Sequence, residues 1–199
     1  MFKLTNFKCL NYDIDWLEYE FKKAVENGNM DAMYKLGNLY YHGEETEKNL
    51  ERAFYWYKKA AKKGYEIAQN NLGNLYYNGE GAEKNLKKAV YWYKKAAKNG
   101  FEKAQYNLAL LYEDEEGAEK NLKKAVYWYQ KAAENGNIKA QNNVGNLYKN
   151  GEGVEKDLEK AFYWYQKAAE NGDIEAQNNI GDLYKNGEGV EKDLEKAFY

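Results

Sequence analysis

The chain has 199 residues with a formal net charge of -2, 31% charged and 17% aromatic residues, and a mean hydropathy of -1.00. The near-neutral balance excludes a global pull toward nucleic acid or anionic membrane, and one cysteine, Cys9, excludes an intramolecular disulfide. The polar average leans toward disorder, but the regular spacing of the aromatics argues for folding.

In chain order, residues 1–12 form an N-terminal segment whose start, MFKLTNFKCLNYDIDW, lacks the apolar run of a signal peptide. A first helix is expected over 13–28. Repeats follow at about 31–64, 67–100, 103–136 and 139–172, with an incomplete one at 175–199. The period comes from Trp56, Trp92, Trp128 and Trp164, which recur every 36 residues without insertion or deletion. Such an array buries its core between neighbouring copies.

Each copy divides into two helical patterns around a glycine-containing loop, and the chain has no proline to interrupt them. In the copy AQNNVGNLYKNGEGVEKDLEKAFYWYQKAAENG, Ala140, Val144, Leu147 and Tyr148 share one face of the first helix. Gly145 is expected to admit a neighbouring helix closely. In the second helix Leu158, Ala161, Phe162, Tyr165, Ala168 and Ala169 gather on one face, while Glu159, Tyr163, Lys167 and Glu170 point away. Asp157 is placed to cap the start and Gly172 to end the helix; Asn49, Asn85, Asn121 and Asp193 repeat the cap. Of the aromatic triplet Tyr163-Trp164-Tyr165, geometry sends Tyr165 to the core, Trp164 to a flank and Tyr163 outward.

With Ala140, Gly145, Tyr148, Gly151, Gly153, Val154, Asp157, Lys160, Ala161, Trp164, Tyr165, Lys167, Ala168, Ala169 and Gly172 in place, the copy resembles the Sel-one-like repeat (SLR), a relative of the tetratricopeptide repeat. Val144 stands where that pattern has leucine. The resemblance covers about Asp13 to Tyr199 and implies an all-α fold, an α-solenoid of antiparallel helix hairpins forming a right-handed superhelix. It also implies a non-catalytic scaffold or adaptor, with the first helices lining the concave side. The branch with a disulfide in every repeat is set aside, because its cysteines are absent here.

On each first helix, the residues opposite the core fall three before, one after and four after the Gly145-type position. They are Tyr34, Asn38 and Tyr41; Asn70, Asn74 and Tyr77; Tyr106, Leu110 and Glu113; Asn142, Asn146 and Lys149; and Asn178, Asp182 and Lys185. Equivalent positions contact peptides in tetratricopeptide-like repeats. Amides both donate to and accept from an extended backbone, and tyrosines add contact area at modest entropic cost. A protein or peptide ligand is therefore expected on a groove that is tyrosine-rich toward the N-terminus; the alternative is an ordinary solvated helix face.

The third copy departs most, with Ala109 at the Gly145-type position and Glu115 at the Gly151-type position. The run Glu113, Asp114, Glu115, Glu116 reads as a solvated loop or an acidic lip for a basic partner. It lacks the spaced ligands of a calcium loop, and no metal or cofactor is expected. Lysines on the early second helices, among them Lys58, Lys59, Lys94 and Lys95, interleave with Tyr55 and Tyr91 and could hold RNA or an anionic surface. A solubilising outer face is preferred for them, so nucleic acid is disfavoured.

Catalysis is disfavoured as well. The chain has no serine, only Thr5 and Thr46 as aliphatic hydroxyls, and a single histidine, His42, so a Ser-His-Asp triad cannot be assembled. His42 is expected to stand at a helix end, as Asn78 does in the next copy. No stretch approaches a membrane span, and a cytoplasmic location is expected. The incomplete last copy suggests a fragment, the alternative function then being a regulatory array of a larger kinase-like or synthase-activating protein, or else an end, Leu194 to Tyr199, that frays or self-associates because Ile180, Leu183 and Tyr184 lose part of their cover.

Overall fold

The computed structural model describes residues 26–43, 47–114 and 120–198, together with Tyr19 and Lys23. Segment 1–12, most of the expected helix 13–28, and Thr46, Glu115, Glu116 and Tyr199 lie outside the described residues. Among the described residues the regular structure is entirely helical. It comprises α1 (Met30–His42), α2 (Leu50–Lys62), α3 (Glu66–Asn78), α4 (Leu86–Lys98), α5 (Glu102–Glu113), α6 (Leu122–Glu134), α7 (Ile138–Asn150), α8 (Leu158–Glu170), α9 (Ile174–Asn186) and a 3-10 turn at Lys196–Phe198. The chain forms two compact units, one up to Ala96 and one from Ala97.

Within each unit consecutive helices pack as hairpins: α1 on α2 and α2 on α3 in the first, and α5 through α9 in succession in the second. The second helices deliver the core. Ala53, Tyr57, Ala60 and Ala61 are buried in the first unit, and Ala161, Tyr165 and Ala168 are fully buried in the second. Leu158, Phe162 and Ala169 flank this core at half burial, while Glu159, Tyr163, Lys167 and Glu170 are exposed as the helical spacing predicts.

The expected caps form, and they do two jobs. The Oδ1 atoms of Asn49, Asn85, Asn121, Asp157 and Asp193 accept from the backbone N–H three residues on, at 2.9–3.0 Å. Each cap residue's own N–H donates to the carbonyl of a first-helix tyrosine, Tyr40, Tyr76, Tyr112, Tyr148 or Tyr184, at 2.7–3.0 Å. One residue thus starts the second helix and ties it to the end of the first. The basic residue three places after the cap lies over that same tyrosine ring, as Arg52 does over Tyr40 and Lys88 over Tyr76, each 5.2 Å from the centroid. Asn121→Ala is expected to lower stability by about 1 kcal/mol, read as a reduced urea midpoint with an unchanged denaturant slope.

Glycine is demanded where it meets the core tyrosine. A Cβ on Gly37 or Gly73 would stand 2.5 Å from ring atoms of Tyr57 or Tyr93, and Gly145 faces Tyr165 as closely. The third repeat differs: Ala109 occupies this place and is fully buried. There α5 also ends early, at Glu113, and the chain leaves through Asp114 in an extended conformation. The other first helices end on a left-handed glycine such as Gly79 (φ 76°). Without that glycine the left-handed exit costs strain, so the helix stops short.

At the C-terminal end one expectation is corrected. Leu183 does not lose its cover: it is fully buried in a cluster with Ala161, Tyr165, Ala168 and Ala176. It points into the hairpin with α8, which supplies its neighbours. Ile180 and Tyr184 are half-buried, and Leu194 is 54% exposed.

Candidate functional site

The first-helix face is built around the hydroxyls of the core tyrosines. A tyrosine fully buried among alanines must satisfy its O–H, and the hydroxyl lies a ring's length beyond its own helix. The oxygen therefore surfaces on the neighbouring first helix, where an asparagine meets it. Tyr57 donates to Asn38 Oδ1 at 2.6 Å, Tyr93 to Asn74 at 2.7 Å and Tyr165 to Asn146 at 2.7 Å. Leu110 replaces the asparagine in the third repeat, and Tyr129 donates instead to Glu113 Oε2 at 2.6 Å. Burial pushes the hydroxyls of Tyr57, Tyr93, Tyr129 and Tyr165 well above the ordinary tyrosine range. They remain neutral donors.

These bonds change the reading of the face. Asn38, Asn74 and Asn146 are buttresses of the core as well as surface groups, and Glu113 is a hydrogen-bond acceptor for Tyr129 before it is part of an acidic lip. Asn70 and Asn142 are corrected outright: they are 5% and 3% exposed, not opposite the core. For Asn142 the reason is the following repeat, whose first helix, α9, covers it. Asn142 donates to Glu175 Oε2 and accepts from Asn179 Nδ2, both at 3.2 Å. Of the remainder, Tyr77 and Leu110 are 40% and 39% exposed. Asn178, Asp182 and Lys185 are exposed, and Lys149 is half-buried. Tyr106 leans on Tyr129 with ring centroids 5.8 Å apart.

In the first unit the same packing opens a cleft of about 240 Å³ between α1, α2 and α3. Tyr34, Asn38, Tyr41 and Asn74, four of the expected ligand residues, line it with His42, Tyr57, Asn71 and Leu75. His42 ends α1 and is exposed, the place expected for it. The wall is aromatic: Tyr57 lies 5.9 Å from Tyr34 and 6.4 Å from Tyr41, centroid to centroid. Tyr34 in turn meets Tyr65 edge-on at 5.4 Å. Both ends of this row reach a carboxylate, since Tyr41 donates to Glu80 Oε2 at 3.1 Å and Tyr65 to Asp31 Oδ1 at 3.3 Å. Burial, followed by the Glu80 contact, raises the Tyr41 hydroxyl above its usual range.

Two residue types escaped the helical-face argument. Asn71 lines the cleft from α3 together with Tyr57. Buried Gln69, Gln105 and Gln141 donate to the carbonyls of Ala61, Ala97 and Ala133 at 3.1–3.2 Å, satisfying the end of the preceding helix. The signal was present in the recurrence itself, because Gln and Asn hold these positions in copy after copy, as core-facing residues do.

The outer faces of the second helices carry Tyr55, Tyr91, Tyr127 and Tyr163, each about half exposed. Lys59 lies 4.7 Å from Tyr55 and 5.0 Å from Trp56, and Lys95 lies 5.0 Å from Tyr91 and 5.3 Å from Trp92. Lys131 instead pairs with Glu134 at 2.8 Å. Among the described residues no group of three or more His, Cys, Asp or Glu could hold a metal ion, and no helix is long and apolar enough to cross a membrane.

Helix hairpins repeated at a fixed period, three of them with a glycine-seated core tyrosine and each with a capped second helix, define an all-α repeat protein of the interaction-scaffold class. The chain belongs to the Sel1 repeat family, whose pattern matches residues 31–65, 67–101, 102–137, 138–173 and 174–199. It is similar to the solved structure of a Sel1 repeat protein from Oxalobacter formigenes, with 37% identity, a TM-score of 0.85, and coverage of 98% of this chain and 82% of that one. It is likewise similar to c5321, described as a protective antigen of uropathogenic Escherichia coli strains with an SLR fold, at 40% identity and a TM-score of 0.85. That match covers 88% of this chain but only 38% of the antigen's. The immunity protein Pa5087 of Pseudomonas aeruginosa matches at 28% identity and a TM-score of 0.55, over 84% of this chain and 62% of that one. No curated protein matches the chain. Sel1 repeat proteins are in general non-catalytic scaffolds for protein interaction.

Proposed function

We propose that this chain is an adaptor that holds an extended segment of a partner protein on its first-helix faces. The observation that carries the reading is the cleft of the first unit, which gathers Tyr34, Asn38, Tyr41 and Asn74 around one concavity. Its rings offer flat contact area, and its side-chain amides can bond an extended backbone. The lysines of the second helices support a different role for that side. Arg52 and Lys88 cover first-helix tyrosines, while Lys59 and Lys95 cover the tyrosine and tryptophan of their own helix, as solubilising groups do.

The test is a screen of the folded chain against a library of short unstructured peptides, followed by amide chemical-shift mapping of the tightest binders. Shifts concentrated on α1 and α3, around Tyr34, Tyr41 and Asn74, are the expected result. Shifts concentrated around Tyr55 and Tyr91 would overturn the reading. Alanine at Asn74 is a poor probe, because it would also strand the Tyr93 hydroxyl.

A further inference from the structure

The cleft has a chemistry as well as a shape, with aromatic and amide walls and carboxylates at the ends of its ring row. Tyr34, Tyr57 and Tyr41 present π-faces or edges within one concavity. The row they belong to terminates on two carboxylates, Glu80 at the Tyr41 hydroxyl and Asp31, itself paired with Lys35 at 2.8 Å, at the Tyr65 hydroxyl. Tyr41 already has a cation of this chain beside it, Lys48 Nζ at 5.7 Å from the ring centroid. The eight lining residues include no lysine, arginine or carboxylate, so a guest charge would enter among rings, amides and the His42 imidazole, with Glu80 as the nearby carboxylate.

We infer that the cleft is a recognition subsite for an arginine side chain of the bound segment, the guanidinium stacking within the Tyr34, Tyr57 and Tyr41 rings with Glu80 at its edge. The inference rests on the peptide-binding reading above and names the chemistry it selects. A guanidinium suits the site better than an ammonium because it is planar, stacks on aromatic rings, and has donors for the amide oxygens and for a carboxylate. Neighbouring repeats support the assignment by contrast. The place of Tyr34 is taken by Asn70, Asn142 and Asn178, and the place of Tyr41 by Lys149 and Lys185 in the last two copies. The copies that carry lysine there have lost both the ring and the sign of charge that a cation needs.

Those same replacements supply variants that this fold already accommodates: Tyr34→Asn and Tyr41→Lys. The experiment is fluorescence anisotropy of the full chain with dye-labelled nonapeptides that are identical except for one central residue, arginine, its neutral isostere citrulline, or glutamate. The arginine peptide is expected to bind about three- to thirtyfold more tightly than the citrulline peptide, with the glutamate peptide weakest. Tyr34→Asn, Tyr41→Lys and Glu80→Gln should each shrink the arginine preference, whereas Tyr127→Asn, on the exposed outer face of α6 in the other unit, should leave it unchanged. Unaltered circular dichroism melts would confirm that the variants remain folded. If arginine and citrulline peptides bind equally on the first-helix face, the arginine subsite is overturned while the peptide-binding reading stands. If no peptide binds there at all, both fail. Retention of the full arginine preference in the Tyr34→Asn/Tyr41→Lys double variant would also overturn this subsite.

Discussion

Gly73→Ala is expected to cost about 1–3 kcal/mol of folding stability, although it adds one methyl group to a helix that alanine favours. The added Cβ would stand 2.5 Å from ring carbons of Tyr93, which is itself buried and held through its hydroxyl to Asn74. The ring cannot retreat without straining that bond. The third repeat shows a packing that does accept alanine: with Ala109 in place, the following residue is Leu110 and the hydroxyl of Tyr129 goes to Glu113, one turn further along. The alanine, the leucine and the glutamate therefore form one solution, and glycine, asparagine and an unconstrained fourth residue form the other. Grafting the first solution as Gly73→Ala/Asn74→Leu/Tyr77→Glu should recover at least half of the loss seen in the single variant, measured by urea unfolding. A triple variant no better than Gly73→Ala would show that the three positions are not coupled in this way.

This coupling marks where sequence reasoning reaches and where it stops. The hairpins, the caps at Asn49, Asn121 and Asp157, and the seat at Gly145 were legible because each depends on short-range spacing that recurs at a fixed period. Tyr163 and Tyr165 were sorted correctly for the same reason, since a helical wheel needs only one helix. The face that carries the proposed site was less legible because two of its determinants lie on other helices. Asn38 and Asn74 lie on the wheel's solvent side, yet a hydroxyl arriving from α2 or α4 engages them. Asn142 shares that side of the wheel, yet α9 covers it through Glu175 and Asn179. Leu183 was misjudged by the opposite error, counting only the cover that follows it and not the hairpin with α8 that precedes it. A solenoid position has neighbours both before and after it, and a single-helix argument sees neither.

The same four tyrosines predict how the chain responds to alkali. In the unfolded chain their hydroxyls ionise near pH 10, whereas burial raises the folded-state value of Tyr57, Tyr93, Tyr129 and Tyr165. Above pH 10 the unfolded state thus binds fewer protons than the folded one, and stability must fall as pH rises. The contribution is complete below the unfolded value and is lost progressively through the window up to the folded one. Each tyrosine can remove up to about 1.4 kcal/mol per pH unit within that window. Four acting together make the decline steep. Stability should be little changed by these groups between about pH 7 and pH 9 and should collapse cooperatively beyond about pH 11. Helical circular dichroism and tyrosinate absorbance, followed in parallel, should show the late-ionising tyrosines titrating together with loss of helix. Tyr129 has an additional cause, because its donor bond to the Glu113 carboxylate opposes ionisation further. Glu113→Gln should therefore let Tyr129 ionise at lower pH. Full ionisation of every tyrosine with the helical signal intact would show that the buried hydroxyls are not coupled to folding.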